Sequence, residues 1–429
     1  MLAAEKNTII LIRANLALQV AESLNRENAM ENNTICTYPW ILLSVGAGGG
    51  LRPCCNAIHA DIEKTKGVVA KIAEMDDYSV DGFLGTHTHK ELRQFMLAGE
   101  RHPMCGRCWK MEDSGMKSFR QSINERYSEL YERVKDETPL GIYRIEFDLG
   151  KKCNLRCRMC APFSSSLIGK EVETHPESRA YYEMGYDPTE WVDNVNMRDI
   201  VKEHIGTLQE IYLIGGEPLI IDAHSELLDY LVETGAAPNI KLVYNTNGIY
   251  LGKKFIDIWK NFKFVQLNVS IDGVGKGYEY IRNPAKWETI EKNMHLLIEE
   301  TKEHRNIECG VTPTLQNLTL SNNSLRDLFL WCEKFGLSMG VIPVNRPDFL
   351  QADVMPEENY TEFLQEIKNL KPHVVINRHE LNNVINYLES NKSNLTNKSL
   401  QTKFVEKQRL LDKIRNQDLF ETHPWARNI

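Results

Sequence analysis

Cys153-Asn-Leu-Arg-Cys157-Arg-Met-Cys160 is the most informative stretch of this 429-residue sequence, because it holds three of the ten cysteines within eight residues. Three thiolates cannot complete a tetrahedral zinc site without a fourth ligand, and neighbours this close are poorly placed to form disulfides with each other. They can hold three corners of a 4Fe-4S cluster, which normally takes four thiolates. Three ligands would leave one iron with an open position for a small molecule.

This spacing resembles the cluster motif of the radical S-adenosylmethionine (SAM) superfamily. The resemblance implies that the open iron chelates the amino and carboxylate groups of SAM and that an electron from the cluster cleaves the sulfonium. The resulting 5′-deoxyadenosyl radical would then abstract hydrogen from a substrate. Met159 departs from the family pattern, which usually has an aromatic residue there. Methionine can still pack against adenine, so we expect SAM binding to tolerate it.

From residue 142 the sequence alternates regularly between strand and helix patterns. The predicted strands are 142–149, 210–215, 241–247, 264–272, 306–314 and 338–344, and helices at 225–233, 287–300 and 324–335 lie between them. Six β/α units in succession predict a parallel sheet with helices outside. Six are too few for the eight-stranded barrel. We therefore expect an α/β fold with an open partial (β/α)6 TIM barrel.

Polar residues alternate with apolar ones along the first and fourth of these strands. A closed barrel fills its interior with branched side chains, so a polar inner face predicts a wider sheet that encloses a polar ligand. The polar positions are Arg144, Glu146 and Asp148 on the first strand and Gln266, Asn268, Ser270 and Asp272 on the fourth.

Gly215-Gly-Glu-Pro218 follows the second predicted strand, and it resembles the GGE motif that binds the SAM amino group. Two glycines allow a close backbone approach, and Glu217 could accept from an ammonium group. The resemblance implies further SAM contacts at strand ends, with the alternative that these are ordinary turn residues. The predicted contacts are Gly215, Gly216, Glu217 and Pro218, then Asn247, Ser270 and Asp272 for ribose and carboxylate, Arg282 for the carboxylate, and Thr312 and Val341 for adenine.

A second group of cysteines precedes the barrel. A strand-like run at 41–45 and the glycines at 48–50 predict a hairpin that returns Cys54 toward Cys36. Cys105 and Cys108 form a C-x2-C knuckle, which can grip one metal or cluster. The spacing leaves Cys55 as an alternative to Cys54, although the position of Gly49 favours Cys54.

This arrangement resembles the auxiliary-cluster twitch module, a shortened SPASM domain, although familiar modules follow the radical SAM core and this one precedes it. The resemblance implies a second 4Fe-4S cluster on Cys36, Cys54, Cys105 and Cys108. A zinc knuckle is the alternative, because zinc accepts the same ligands. We expect the nearby histidines to lie at the surface or behind the ligands; they are His87, His89 and His102.

These patterns divide the chain into an N-terminal helical segment (1–35), a twitch-like module with helices (36–135), the barrel (136–345) and a helical C-terminal region (346–429) that caps it. The long connection at 165–205 is either a substrate lid or a helical spacer. Its aromatic residues are Tyr181, Tyr182, Tyr186 and Trp191.

Composition limits the class of partner. A formal net charge of -8 argues against nucleic-acid binding, and no apolar run approaches the roughly 18 residues that span a bilayer. The apolar run 8–12 ends at Arg13 and lacks a small-residue cleavage site. Closely grouped cysteines without an export signal point to metal rather than disulfides. We expect a cytoplasmic protein with no membrane or nucleic-acid partner.

The combined pattern predicts a radical SAM enzyme that modifies a peptide or protein and takes electrons from a donor such as flavodoxin or ferredoxin. One alternative is oxidation or rearrangement of a small carbohydrate or nucleotide-like metabolite. Another is a non-catalytic iron-sulfur or zinc protein. The Gly-Gly-Glu-Pro turn and the polar interior count against that last alternative, because a carrier needs neither.

Overall fold

The structure, a computed structural model, describes residues 34–57, 70–182, 190–302, 304–320, 324–392, 395 and 397–429. Residues 1–33 of the predicted N-terminal helical segment (1–35) lie outside the described residues, and so does Tyr186. The described chain forms two compact units. The cysteine-rich unit contains 34–42, 52–57 and 79–142, and the barrel unit contains 43–51, 70–78 and everything described from 143 onward.

The cysteine-rich unit is built from short helices. Ser79, Thr86 and Ser118 begin three of them by accepting a hydrogen bond from a backbone N–H of the first turn. The buried guanidinium of Arg93 donates to the carbonyls of Pro39 and Leu84 at 3.0 and 2.8 Å. The helices are Tyr38–Ile41, Val80–Leu84, His87–Leu97, Gly106–Asp113, Phe119–Arg126 and Ser128–Tyr131.

An eight-stranded sheet forms the centre of the barrel unit, and the α/β fold with a mostly parallel sheet is as predicted. Its strand order is β2-β1-β3-β4-β5-β6-β7-β9, and every pair from β3 to β9 is parallel. The strands are β1 (Leu42–Val45), β2 (Leu51–Arg52), β3 (Arg144–Asp148), β4 (Glu210–Ile214), β5 (Lys241–Thr246), β6 (Phe264–Val269), β7 (Ile307–Val311) and β9 (Ser338–Met339).

The sheet differs from the prediction at both ends. The strand predicted within the cysteine-rich module, β1, lies beside β3 in the barrel sheet. The fifth predicted strand breaks after Val311, because Pro313 has no N–H to continue the ladder. The sixth breaks near Gly340. The remaining pieces, β8 (Thr314–Leu315) and β10 (Ile342–Pro343), pair with each other in a separate two-stranded sheet.

Helices cover the outer face of the sheet, as the alternation of apolar residues in β6 predicts. Val265, Leu267 and Val269 are completely buried, and burying such a side chain contributes about 1.5–3 kcal/mol at most. The helices that follow β4 to β7 are Asp222–Glu233, Lys253–Trp259, Gly275–Ile281, Trp287–Thr301 and Ser324–Phe335.

The C-terminal region is helical and belongs to the same compact unit as the sheet. Its helices are Glu357–Asn369, Arg378–Asn391, Lys398–Arg415 and Leu419–Thr422. Helix Lys398–Arg415 reaches the loop that carries Cys153, Cys157 and Cys160, through the contacts given below.

The connection between β3 and β4 packs into the core where it is described. It contains the helices Ser166–Thr174 and Met197–Lys202. Tyr181 and Trp191 are each only 1% exposed, and the indole of Trp191 donates to the carbonyl of Asp148 at 2.8 Å. These aromatic residues anchor the connection to the barrel, as in a packed spacer. Over the described residues, no helix is long and apolar enough to cross a membrane.

Candidate functional site

The three predicted cluster cysteines open into one cavity of about 340 Å³ at the carboxyl end of the sheet. Gly215 and Gly216, which follow β4, line the same cavity. Predicted residues that line it are Cys153, Cys157, Cys160, Gly215, Gly216, Asn247, Ser270 and Arg282. The sequence analysis did not predict the other lining residues Ala47, Gly150, Leu155, Phe163, Ser164, Ile214, Asn245, Thr246 and Thr314.

The Gly-Gly turn packs against the backbone that leads into the cysteine loop. A Cβ on Gly216 would lie 2.2 Å from the carbonyl oxygen of Lys152, and a Cβ on Gly215 would lie 2.6 Å from the backbone nitrogen of Leu149. The N–H of Glu217 donates to the Lys152 carbonyl at 2.9 Å. Only glycine permits this approach, because any side chain would push the two segments apart.

The Glu217 carboxylate is completely buried and holds the end of β5 in place. It accepts from the Asn247 N–H at 2.6 Å, the Thr246 hydroxyl at 2.7 Å and the Leu219 N–H at 3.1 Å. Burial raises its pKa, although these hydrogen bonds oppose the rise. The structure therefore gives this carboxylate a structural task, and its predicted contact with the SAM ammonium remains a prediction.

Arg282 places a positive charge beside the central cysteine. Its Nε donates to Asp272 at 2.6 Å, and its Nη1 lies 3.8 Å from the Cys157 sulfur. Burial disfavours the charge, but Asp272 and Cys157 outweigh that effect and raise the Arg282 pKa. Asp272 also accepts from the Thr314 N–H at 2.6 Å. A nearby guanidinium favours thiolate, which is the form that binds iron.

Arg158, inside the cysteine motif, is fixed by the C-terminal region. Its fully buried guanidinium donates to the Tyr280 carbonyl at 3.0 Å and to Gln408 at 2.6 Å, and it forms an ion pair with Asp412. The guanidinium also lies 3.6 Å from the centre of the Tyr280 ring. Its backbone carbonyl accepts from the buried Tyr181 hydroxyl at 2.8 Å. Several elements thus set the path of the cysteine loop.

Arg156, the other arginine of the motif, has a similar set of partners. Its side chain donates to Glu171 at 3.0 Å and to Asn283 at 2.7 Å. Arg415, at the end of helix Lys398–Arg415, donates twice to Glu171 at 2.9 Å and once to the Arg156 carbonyl at 2.8 Å. Both arginines of the cysteine motif are therefore held by charged hydrogen bonds, which are stronger than neutral ones.

Only some of the remaining predicted SAM contacts line the cavity. Asn247 donates to Asn154 of the cysteine loop at 2.8 Å. Pro218 is buried at the start of a short 3-10 turn. The described residues that line the cavity do not include Thr312 or Val341. They do include Thr314, two residues after Thr312. The interruption of the strand at Pro313 explains this difference, because β7 ends at Val311 and the next strand begins at Thr314.

In the cysteine-rich unit, the predicted ligands affect one another's pKa values. Burial, then Cys55, Cys36 and Cys105, raise the pKa of the Cys54 thiol, and burial raises that of Cys36 to about 12. Burial and then Cys36 and Cys108 likewise raise the pKa of Cys105. These pKa effects link Cys55 and the four predicted ligands, Cys36, Cys54, Cys105 and Cys108.

The three histidines named in the sequence analysis differ in exposure. His87 is exposed, and His89 and His102 are buried. The described ranges contain no group of three or more His, Cys, Asp or Glu side chains arranged around a single metal ion. The cysteines of an iron-sulfur cluster each bind a different iron, so they need not meet at one point.

The chemistry of the donor set at the cavity fits a 4Fe-4S cluster with one open iron. Burial, then Cys157, raises the pKa of Cys153 to about 12, so a desolvated thiolate there needs a compensating positive charge. Cys153, Cys157 and Cys160 would supply that cluster with three sulfur ligands. The cavity beside them leaves room for a ligand of the fourth iron.

Three cysteines and a Gly-Gly turn thus line one cavity at the carboxyl edge of a parallel β/α sheet. Residues 148–315 match the family model of the Radical SAM superfamily. This segment thus matches an enzyme superfamily, and the match leaves the reaction open. No curated protein matches the sequence.

Several solved structures resemble the chain weakly. Native anSMEcpe with bound AdoMet is 14% identical over 55% of this chain and 63% of that chain, with a TM-score of 0.38. SuiB from Streptococcus suis bound to S-adenosylmethionine is 12% identical over 66% and 63%, with a TM-score of 0.37. The methyltransferase TsrM from Kitasatospora setae, with cobalamin and a 4Fe-4S cluster, is 14% identical over 47% and 34%, with a TM-score of 0.32. The chain thus spans less than two thirds of each of these proteins.

Proposed function

We propose that this protein is a radical SAM enzyme that binds a 4Fe-4S cluster through Cys153, Cys157 and Cys160 and abstracts hydrogen from a substrate. One observation carries the proposal: these cysteines and the Gly215-Gly216 turn line a single cavity within the segment that matches the family. When bound, such a cluster would supply the electron for reductive cleavage of SAM, and the radical chemistry that follows would remove hydrogen from the substrate.

The chain's own residues would bind and orient the cofactors. Arg282 holds positive charge beside Cys157, and the Gly215-Gly216 turn presents backbone groups to the cavity without a side chain between. Met159 and Phe163 supply apolar surface at the same cavity, which suits the adenine ring. Closure of the site around these groups would keep water from the radical.

We further propose that Cys36, Cys54, Cys105 and Cys108 hold a second 4Fe-4S cluster. The effects of Cys36 and Cys105 on the pKa of Cys54, and of Cys36 and Cys108 on that of Cys105, support this ligand set. The spacing from Gly49 favours Cys54 over Cys55. Such a cluster could accept an electron from the substrate radical or relay one to the first cluster. A structural zinc ion on the same cysteines is the competing possibility.

Iron and sulfide content, with Mössbauer spectra of anaerobically reconstituted protein, tests the number of clusters. Two clusters of the 4Fe-4S type give about eight iron atoms per chain. The Cys105→Ala/Cys108→Ala double variant should then retain about four. About four iron atoms plus one zinc in the unmodified protein would instead assign zinc to the cysteine-rich unit.

Cys153→Ala tests the central assignment. We expect it to abolish formation of 5′-deoxyadenosine from SAM under reducing, anaerobic conditions, because the cluster would lose a ligand. Cys332→Ala is the matched control, since Cys332 is buried in helix Ser324–Phe335 and does not line the cavity. Normal SAM cleavage by Cys153→Ala would contradict the proposal.

We propose a peptide or protein substrate, with a small carbohydrate or nucleotide-like metabolite as the alternative. Support comes from the likeness of the cysteine spacing to twitch modules, which are common in peptide-modifying relatives. An electron donor of the flavodoxin or ferredoxin type and a cytoplasmic location belong to the same proposal. Deuterated candidate substrates distinguish the two classes, because the true substrate transfers deuterium to 5′-deoxyadenosine.

A further inference from the structure

A row of uncharged polar side chains crosses the inner face of the sheet beside the cofactor cavity. Asn268 Nδ2 on β6 donates to Asn245 Oδ1 on β5 at 3.0 Å, and Asn245 Nδ2 donates to the Tyr212 hydroxyl on β4 at 2.8 Å. Asn245 and Asn268 are direct partners in the parallel register. We call Tyr212, Asn245 and Asn268 the amide row.

The interior of the sheet is open at the amide row. Asn245 is exposed, although β5 has a neighbouring strand on each side and the adjoining Tyr244 and Thr246 are buried. Asn268 and Tyr212 are half-buried. A closed barrel would fill these positions with packed branched side chains. The row is therefore accessible to a ligand from inside the sheet.

The amide row joins two cavities. Asn245 lines the cofactor cavity that also contains the three cysteines. Asn268 and its neighbour Gln266 line a second cavity of about 470 Å³, together with Glu308 and Ser338 at the β7–β9 end of the sheet. Because Asn245 and Asn268 bond to each other, a ligand along the row would occupy both cavities.

The two asparagines keep hydrogen-bonding capacity for such a ligand. A carboxamide has two N–H donors and an oxygen with two lone pairs. Asn245 uses one donor and one lone pair within the row, and Asn268 uses one donor there and one lone pair for Gln266 Nε2 at 3.4 Å. One donor and one acceptor remain on each. This pair of groups complements the C=O and N–H of a peptide bond.

Charges near the row disfavour an anionic ligand. Asp148 lines the first cavity and the exposed Glu308 lines the second, so both cavities carry acidic groups. Cations near the row are engaged by carboxylates in the described part of the chain. Arg144, 5.2 Å from the centre of the Tyr212 ring, pairs with Glu146 at 3.0 Å. The other pairs are Arg282 with Asp272 at 2.6 Å, Lys302 with Glu299 at 2.7 Å and Lys241 with Glu210 at 3.9 Å.

We infer that the amide row is the recognition surface for an extended peptide segment whose reacting residue lies in the cofactor cavity and whose flank enters the second cavity. Three neighbouring strands span about 10 Å, roughly three residues of an extended peptide. The inference rests on the proposed function and adds the residues that recognise the substrate. It also disfavours phosphorylated sugars and nucleotides.

Asn268→Leu tests the inference, because leucine has a similar size and no hydrogen-bonding group. The probe is a fluorescein-labelled pool of random-sequence octapeptides, and its binding to reconstituted enzyme with SAM is followed by anisotropy. Loss of two neutral hydrogen bonds should weaken binding about tenfold. The control is Asn369→Leu at an exposed helix end, which should bind the pool as the unmodified enzyme does.

Each outcome of this experiment has one meaning. Equal peptide affinities for Asn268→Leu and the unmodified enzyme overturn the inference, as does displacement of the pool by glucose 6-phosphate or AMP at lower concentration than by unlabelled peptide. Failure of the unmodified enzyme to cleave SAM defeats the proposed function instead. The anisotropy measurement still reports on the amide row in that case, because it does not depend on turnover.

Discussion

At Gly216 the backbone alone decides which residue the chain can use. Its φ of +22° and the position of the Lys152 carbonyl leave no space for a Cβ. The neighbouring loop cannot yield easily, because the next residue, Glu217, is hydrogen-bonded to that same carbonyl. The turn and the cysteine loop are therefore a single rigid feature of the site.

Gly216→Ala should disrupt this feature. Backbone strain of this kind costs about 1–3 kcal/mol, and a shift of about 1 Å in a reacting group can lower a rate about a hundredfold. We expect a comparable loss of 5′-deoxyadenosine formation and weaker SAM binding in equilibrium dialysis. Gly206→Ala is the control, since its Cβ would meet nothing within 4 Å. Equal effects of the two substitutions would show that close approach at Gly216 is unimportant.

At the scale of elements, helix Lys398–Arg415 and the cysteine loop behave as one structure. Gln408 and Asp412 bind the guanidinium of Arg158, and Arg415 binds the carbonyl of Arg156. These residues lie about 250 positions apart in the sequence. The C-terminal region thus helps to position the proposed cluster ligands, and helix Lys398–Arg415 does not line their cavity.

Asp412→Ala should leave the buried Arg158 charge without its carboxylate. Loss of one partner of a buried ion pair costs about 3–5 kcal/mol, so urea unfolding should show a decrease of that order and the iron bound at Cys153, Cys157 and Cys160 should fall. Lys413→Ala, at the exposed next position, should change stability by less than about 0.5 kcal/mol. Normal iron content and stability in Asp412→Ala would separate the helix from the cysteine loop.

At the scale of the whole molecule, buried neutral histidines link stability to pH. Burial, then the Arg158 charge, lowers the pKa of His423 to about 3, while a hydrogen bond to the Leu318 carbonyl opposes the change. That carbonyl can only accept, so Nε2 carries the proton, and Nδ1 accepts from the Thr422 hydroxyl. Burial likewise lowers the pKa values of His89 and His224 to about 3.

Stability should therefore fall as the pH decreases below about 6.5, where the unfolded chain binds protons that the folded chain excludes. At pH 5.5 one such histidine lowers the free energy of unfolding by about 1.4 kcal/mol relative to neutral pH. His423→Gln should remove that share of the decrease between pH 7.5 and 5.5, measured by chemical denaturation. The exposed His373→Gln should leave it intact. An unchanged pH dependence in His423→Gln would mean that His423 is protonated in the folded state.

Much of the fold follows from local pattern. Alternation along β6 predicted which residues are buried, and β/α periodicity located strands β3 to β6 to within a few residues. Long-range pairing was less accessible. Nothing near residues 41–45 indicates that β1 joins the barrel sheet. A strand pattern predicts that a segment is extended, but it does not identify the strand with which it pairs.

The sequence by itself determined the spacing of the three cysteines, the Gly-Gly turn and the order of the β/α units, because these depend on residues close together in the chain. Only the tertiary structure decided what surrounds them. Arg282 pairs with Asp272, Glu217 holds β5, and helix Lys398–Arg415 holds the cysteine loop. Partners of buried charged groups come from distant segments, and burial alone makes those pairings compulsory.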